Sequence, residues 1–255
     1  MSHCARAARA LLYDLPVVPY ATALSWQRAL FKARTEGPPG VTHPNLVLSL
    51  EHPPVFTLGR AASPSDLLFP PELSPAAPAP AAAEAEEASL PAAPEGFSLH
   101  AVERGGKITY HGPGQLVVYP LLDLRCFRSD LHWYVESIEE VVIRAIGRSC
   151  GLEAFRLPGN PGVWVGARGR ERKVAAVGMN CSKWFTQHGF AINVCPNLAH
   201  FSYIVPCGIR DRDVTSLEKE APVAQPTVHS VKSHVFQAFS EVFDCELELQ
   251  QGQPL

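Results

Sequence analysis

Leu116-Val-Val-Tyr-Pro-Leu-Leu-Asp-Leu124 is the stretch on which the fold turns. It is almost continuously apolar, it follows Gly112-Pro-Gly114, and it is too short for an ordinary helix. Such a run reads as a strand buried on both faces. Just downstream, Ser129 or Asp130 offers an N-cap. Leu131, Val135, Ile138, Val142 and Ile146 then recur at steps of three and four, which predicts a helix to about Cys150, ended by Gly151. A strand covered on both sides requires layers above and below it.

The rest of the chain supplies those layers. Leu24, Trp26, Leu30 and Phe31 predict an amphipathic helix over 20–35, stopped by Gly37-Pro-Pro-Gly40. Asn45–Leu50, Val55–Leu58 and Phe97–Glu103 read as short strands. Val163–Ala167 and Lys173–Met179 flank Arg168-Gly-Arg-Glu-Arg172 as a hairpin, and Gly189–Val194 is a further strand. Val228, Val231, Val235, Phe239 and Val242 form a second helical stripe. The pattern predicts an α+β fold with a mixed, largely antiparallel sheet packed with helices. Residues 11–245 are expected to form one domain, with 246–255 a tail. Residues 70–96, rich in Ala and Pro, are expected to be a flexible insertion within it.

Composition narrows the function. A formal net charge of −3 gives no electrostatic case for nucleic acid. No apolar run approaches the roughly 20 residues of a membrane span. The seven cysteines form no Cys-x-x-Cys pair, which favours free thiols in a reducing compartment. His188, Cys195, His200 and Cys207 lack metal-ligand spacing, so no metal is expected. Arg6 and Arg9 precede any acid, the first being Asp14. Residues 1–10 therefore read either as a short mitochondrial presequence or as the basic end of a first strand.

Two stretches point to chemistry. Arg104-Gly-Gly-Lys-Ile-Thr-Tyr-His-Gly-Pro-Gly-Gln115 packs glycines around basic and aromatic side chains, a composition that lets backbone approach a ligand. Pro206-Cys207-Gly208 presents a single thiol in a turn. A thiol of ordinary pKa is only about 3% thiolate at pH 7, so a nucleophilic Cys207 needs a base or cation beside it. The alternative is a small buried hydrophobe. Lys173, leading into a strand of small residues, is the candidate partner, and its alternative is a solvated hairpin lysine. His111, His188 and Lys107 are further candidates for orienting a carbonyl or acting as base, against a structural role for each.

Taken together, these residues resemble one family. The Arg104–Gln115 stretch, Lys173-Val-Ala-Ala-Val-Gly178, His188-Gly-Phe-Ala-Ile-Asn193 and Pro206-Cys207-Gly208 look like the ordered signature stretches of the lipoyl(octanoyl) transferases. Asp213-Val-Thr-Ser-Leu217 looks like the family's segment after the cysteine. The resemblance runs from about Leu11 to Phe243. It implies a biotin/lipoate protein ligase-like (class II synthetase-like) catalytic domain. It implies transfer of octanoyl from octanoyl-acyl carrier protein to a lysine of a lipoyl-domain protein or glycine cleavage H protein, the first step of endogenous protein lipoylation. By the same resemblance, Cys207 forms a thioester and Lys173 activates it. Arg104, Gly105, Gly106, Lys107, Ile108, Thr109, Tyr110 and His111 would line the acyl site. So would Ala176, Val177, Gly178, Gly189, Phe190 and Ala191. Ala176 stands where the family commonly has serine. The Ala/Pro insertion and basic N-terminus look like an animal mitochondrial member, placed in the matrix.

A thioester donor is already activated, so no nucleotide or other cofactor is expected, and the chain is expected to act as a monomer. Two rivals remain. One is an ATP-dependent lipoate or biotin ligase on the same fold, which would need no cysteine. The other is a non-catalytic module that binds acyl groups.

Overall fold

The computed structural model describes residues 8–38, 40–69, 93–205 and 212–254. Most of the insertion read at 70–96 lies outside them, as do residues 1–7 of the N-terminal segment. In chain order the elements are β1 (Ala8–Val17), α1 (Tyr20–Glu36), β2 (Asn45–Glu51), β3 (Val55–Leu58), β4 (Ser98–Ala101), β5 (Ile108–His111), β6 (Gln115–Leu121) and α2 (Leu131–Cys150). There follow β7 (Ala154–Leu157), β8 (Asn160–Val165), β9 (Arg172–Ser182), β10 (Phe185–Asn193), α3 (Leu217–Glu220), α4 (Val228–Phe243) and β11 (Cys245–Gln250).

The larger sheet has the order β11-β1-β2-β6-β10-β9-β8-β7, and a smaller one the order β4-β3-β5. Pairing is parallel at β11-β1-β2 and β3-β4 and antiparallel elsewhere, so the sheet is mixed as the pattern predicted. β6 is buried along its whole length. Leu116 and Val118 join Ile138, Val142, Val235 and Phe239 in a core under α2 and α4. Val117, Tyr119 and Leu121 face the other way, with Ala23 and Leu30 of α1. The continuous apolar run is thus explained: each face of the strand has its own cover.

Helix α2 starts where Asp130 accepts from the His132 and Trp133 amides, and ends at Gly151 in the left-handed region. In α4, Thr227 and Ser230 form a reciprocal cap. Helix α1 is less regular, since its buried face includes Gln27 and Arg34. Arg34 donates to the carbonyls of Leu121 and Pro44, which ties the helix across the end of β6.

Several boundaries differ from the sequence reading. β1 begins at Ala8 and pairs with both β2 and β11, so Ala8, Arg9 and Ala10 of the segment read at 1–10 are sheet residues. The tail drawn at 246–255 contains most of β11, whose alternating Cys-Glu-Leu-Glu-Leu-Gln pattern suits an edge strand. The glycine-rich loop is shorter than expected, because Ile108–His111 forms β5. Leu131, first in the α2 stripe, is exposed. Among the described residues no helix is long and apolar enough to cross a membrane.

β10 is where the sheet tolerates least. A Cβ on Gly189 would lie 2.2 Å from the Val118 carbonyl oxygen and 2.6 Å from Pro120 Cδ. Backbone and a ring cannot move aside cheaply. Gly189→Ala is therefore expected to destabilise the fold by about 1–3 kcal/mol, read as a lower midpoint in chemical denaturation.

Candidate active site

The register of three strands builds a floor of small side chains. Ala191 pairs with Val117 on one side and Ala176 on the other, and Gly189 pairs with Gly178. Directly paired residues share a face. The small side chains of Ala191 and Ala176 therefore leave a hollow, which Gly189 and Gly178 also border. The hollow is a cavity of about 360 Å³, the size of a small-molecule site. Its lining is mainly apolar, including Val117, Phe190 and Met179, with Val135 of α2. The Arg104–Lys107 turn, Thr109 and His111 of β5, and Tyr20 of α1 close the opposite side.

Lys173 reaches the cavity through an irregularity in the sheet. Val163 pairs with Ala175 but Trp164 pairs with Lys173, so one step on β8 spans two on β9. Val174 is the extra residue, and such a bulge re-aims the side chains beside it. Lys173 is only 6% exposed. Its Nζ donates to the Pro161 carbonyl at 2.9 Å and sits 4.9 Å from the centre of the Trp164 ring. The solvated hairpin lysine is thereby excluded. Its backbone also pairs with the segment after the cysteine motif: Lys173 N–H donates to Asp213 O, and Thr215 N–H to Lys173 O, both at 2.9 Å.

Arg104 organises the loop it belongs to. Its guanidinium donates to the carbonyls of Gly105 and Lys107, and to the Thr57 carbonyl and hydroxyl, at 2.6–3.1 Å. Gly105 N–H donates to Met179 O, which anchors the loop on β9 at the end remote from Lys173.

Aromatic and imidazole rings gather beside the cavity. Tyr20 lies between His52, His100 and His111, with ring centres 5.0–6.2 Å apart. His52 has Val18 O on Nδ1 at 2.7 Å and the Tyr119 hydroxyl on Nε2 at 2.8 Å. A carbonyl only accepts, so Nδ1 carries the proton and Tyr119 donates to Nε2. Burial, the largest effect, holds the His52 imidazole down at about 4. His111 Nδ1 meets Gln115 Oε1 at 3.1 Å, while Gln115 Nε2 donates to Tyr110 O and Asn193 Oδ1. That amide orientation puts the His111 proton on Nδ1 and leaves Nε2 as an acceptor. Burial keeps His111 neutral too, well below the usual imidazole range.

His188 is a buried residue at φ 63°, a left-handed conformation unusual outside glycine. Its N–H donates to Gln27 Oε1 at 2.9 Å, and its Nε2 lies 3.7 Å from Glu103 Oε2. Burial lowers the His188 imidazole. For Glu103 burial is again the largest effect and acts upward, but His188 and the 2.9 Å ion pair with Arg28 outweigh it and bring the carboxyl to about 2.

Most residues expected at the acyl site line the cavity: Arg104, Gly105, Gly106, Lys107, Thr109 and His111 from the loop and β5, with Lys173, Ala176, Val177 and Gly178 from β9 and Gly189, Phe190 and Ala191 from β10. Ile108 and Tyr110 do not. Side chains alternate along β5, so these two point into a separate core with Phe56 and Phe201. The Tyr110 hydroxyl bonds instead to His200. Cys207 lies outside the described residues. Tyr20, Tyr119, Val135 and Pro161 also line the cavity and carried no motif that marks them. Among the described residues no cluster suits a metal ion.

Comparison with known proteins places this geometry. A family model for the lipoyl protein ligase A/B catalytic domain matches residues 19–240. An octanoyltransferase of a Nostoc sp. strain is 44% identical over 240 residues, which is 93% of each chain. One from Gloeobacter violaceus is 41% identical over 243 residues, covering 94% of this chain and 93% of that one. Among solved structures, the bipartite lipoate protein ligase of Thermoplasma acidophilum superposes with a TM-score of 0.68 at 14% identity, covering 97% of this chain and 88% of that one. A lipoate-protein ligase A bound with ATP gives 0.65 at 16% identity, over 98% and 90%. These structural likenesses establish the fold.

The neutral histidines give stability a pH dependence. The unfolded His52 takes up a proton near pH 6.5 and the folded one only near 4. Stability is therefore complete above pH 6.5 and declines as pH falls to about 4, by about 3 kcal/mol at 1.36 kcal/mol per unit. His111 and His188 act in the same direction. In denaturation series between pH 7 and 4, His52→Gln is expected to show a shallower slope than the wild type.

Proposed function

This chain belongs to the lipoyl protein ligase A/B catalytic-domain family and is an acyltransferase, and we propose that it moves an octanoyl group from octanoyl-acyl carrier protein to a lysine of a lipoyl-domain protein or glycine cleavage H protein through a thioester on Cys207. The observation that carries this reading is the union of a small-residue apolar trough with one buried amine, Lys173. From Lys173 to Gly178 the β9 floor extends roughly 16 Å at about 3.3 Å per residue, room for an eight-carbon chain laid along it.

Lys173 takes the Cys207 proton, and the thiolate attacks the donor's thioester carbonyl. The tetrahedral adduct collapses, its bond to the carrier sulfur breaks, and the carrier leaves as a thiol with the proton that Lys173 returns to it. The acceptor amine then attacks the acyl-enzyme and loses a proton to Lys173, and the Cys207 thiolate is expelled to leave an amide and takes that proton back from Lys173. Two half-reactions sharing one base form a ping-pong scheme. Support for a cysteine near this amine comes from chain reach. Cys207 is six residues from Asp213, whose carbonyl accepts from Lys173 N–H, and so many residues span at most about 20 Å.

Arg104 belongs to this scheme as the residue that holds the loop over the acyl chain, since its donors are engaged with loop carbonyls and Thr57. Residence in the mitochondrial matrix and action as a monomer complete the proposal. Support for the first is the basic segment before Asp14 together with the Ala/Pro insertion. A fluorescent fusion that stays outside mitochondria would remove that part alone.

Mixing the chain with octanoyl-acyl carrier protein is expected to add one octanoyl mass to the intact protein. Cys207→Ser should lack the adduct, and Lys173→Ala should keep its fold and lose acylation. An absolute need for ATP with free octanoate, and no reaction with the carrier, would replace the transferase with a ligase. Binding without an adduct would leave a non-catalytic module.

A further inference from the structure

The Lys173 amine is held by the first residues of β8, and these are held by a buried carboxylate from a helix. Strand β7 pairs with β8 irregularly: Leu157 faces Asn160, but the next step matches Arg156 with Val163. The slip leaves the Gly162 N–H to another partner, and Glu139 Oε1 on α2 accepts it at 2.8 Å. Gly162 sits at φ 116°, and a Cβ there would come 2.6 Å from Ala175 O and 3.3 Å from Lys173 Cε. The start of β8 is thus pressed against the lysine stem. Its neighbouring carbonyls are both engaged. Trp164 Nε1 donates to Asn160 O at 3.0 Å, and Lys173 Nζ to Pro161 O at 2.9 Å.

Glu139 is 5% exposed. A buried carboxylate is costly unless paired and bonded. Here the partners are the Gly162 amide and Arg156, whose Nε lies 3.3 Å from Oε2. Arg156 is secured independently by Glu140 at 2.8 Å and the Glu136 carbonyl at 2.7 Å. The arginine therefore keeps its place without Glu139, while the Gly162 N–H loses its bond.

We propose that Glu139 is a positioning residue for acyl transfer: its carboxylate fixes the start of β8, Asn160–Gly162, so that the Pro161 carbonyl holds the Lys173 amine at the cavity. The proposal rests on the role assigned to Lys173 above. The relevant bond is to oxygen, so an amide oxygen at the same reach substitutes for the carboxylate, whereas a carboxylate one methylene shorter does not.

The test uses the full chain, octanoyl-acyl carrier protein and a lipoyl-domain acceptor. Glu139→Ala is expected to lower kcat about tenfold with KM for the donor changed less than about twofold, as for a misplaced catalytic group. Glu139→Gln should stay within about threefold of wild type, and Glu139→Asp should fall below it. A role as counter-charge to Arg156 predicts the reverse order, with Asp above Gln, and that result overturns the proposal. So does wild-type turnover by a folded Glu139→Ala. If Glu139→Ala fails to fold, the order of Gln and Asp decides. Lys173→Ala is assayed alongside. Wild-type turnover there brings down the lysine's role and this proposal with it, whereas an inactive Lys173→Ala beside a fully active Glu139→Ala brings down Glu139 alone.

Discussion

The contact between Gly189 and the β6 backbone is the constraint around which the molecule is arranged. The Val118 carbonyl lies where a Cβ would stand. Gly189 and its partner Gly178 both border the cavity. Every larger element then acts as a wall to that space. Helices α2 and α4 close the far face of the sheet with the heavier apolar residues. Helix α1 and the small sheet stand off the near face, which is where the cavity opens.

Several of the polar groups within this apolar setting are fixed by hydrogen bonds. His52 and His111 are neutral, each with a tautomer set by an acceptor that cannot donate. Glu103 is the charged member beside His188, and it is balanced by Arg28. Burial penalises an imidazolium more than the surrounding bonds stabilise one. Lys173 is held differently, by a carbonyl and an aromatic face, so the amine reaches the cavity without a carboxylate bonded directly to it. A backbone acceptor and an aromatic face together fix where such a group sits.

The motif residues were legible because chemistry restricts them. A lysine before a strand of small residues and a glycine-rich stretch after a short strand each stand out from ordinary composition. Their partners did not stand out. Tyr20, Tyr119 and Val135 read as core residues, and in part they are; only the layering shows that they also border a cavity. Glu139 read as one of several acids on a helix with Glu136 and Glu140. Its distinction is a bond to a glycine amide on strand β8, and nothing local encodes that. Ile108 and Tyr110 mislead in the opposite sense. They sit inside a signature stretch, but strand alternation turns them to a different core.

From sequence alone came the helices and strands with strong periodicity, the mixed layering, and the family to which the ordered motifs belong. Those are local properties: spacing, caps and the residue types that a reaction demands. The bulge at Val174, the slip between β7 and β8, and the parallel edge pairing of β11 with β1 were decided only by the tertiary structure. Register depends on what lies opposite, and a single-residue shift sends a side chain to the other face. That shift separates a lysine in water from a lysine aimed into a cavity, and no reading of Lys173 with its immediate neighbours contains it.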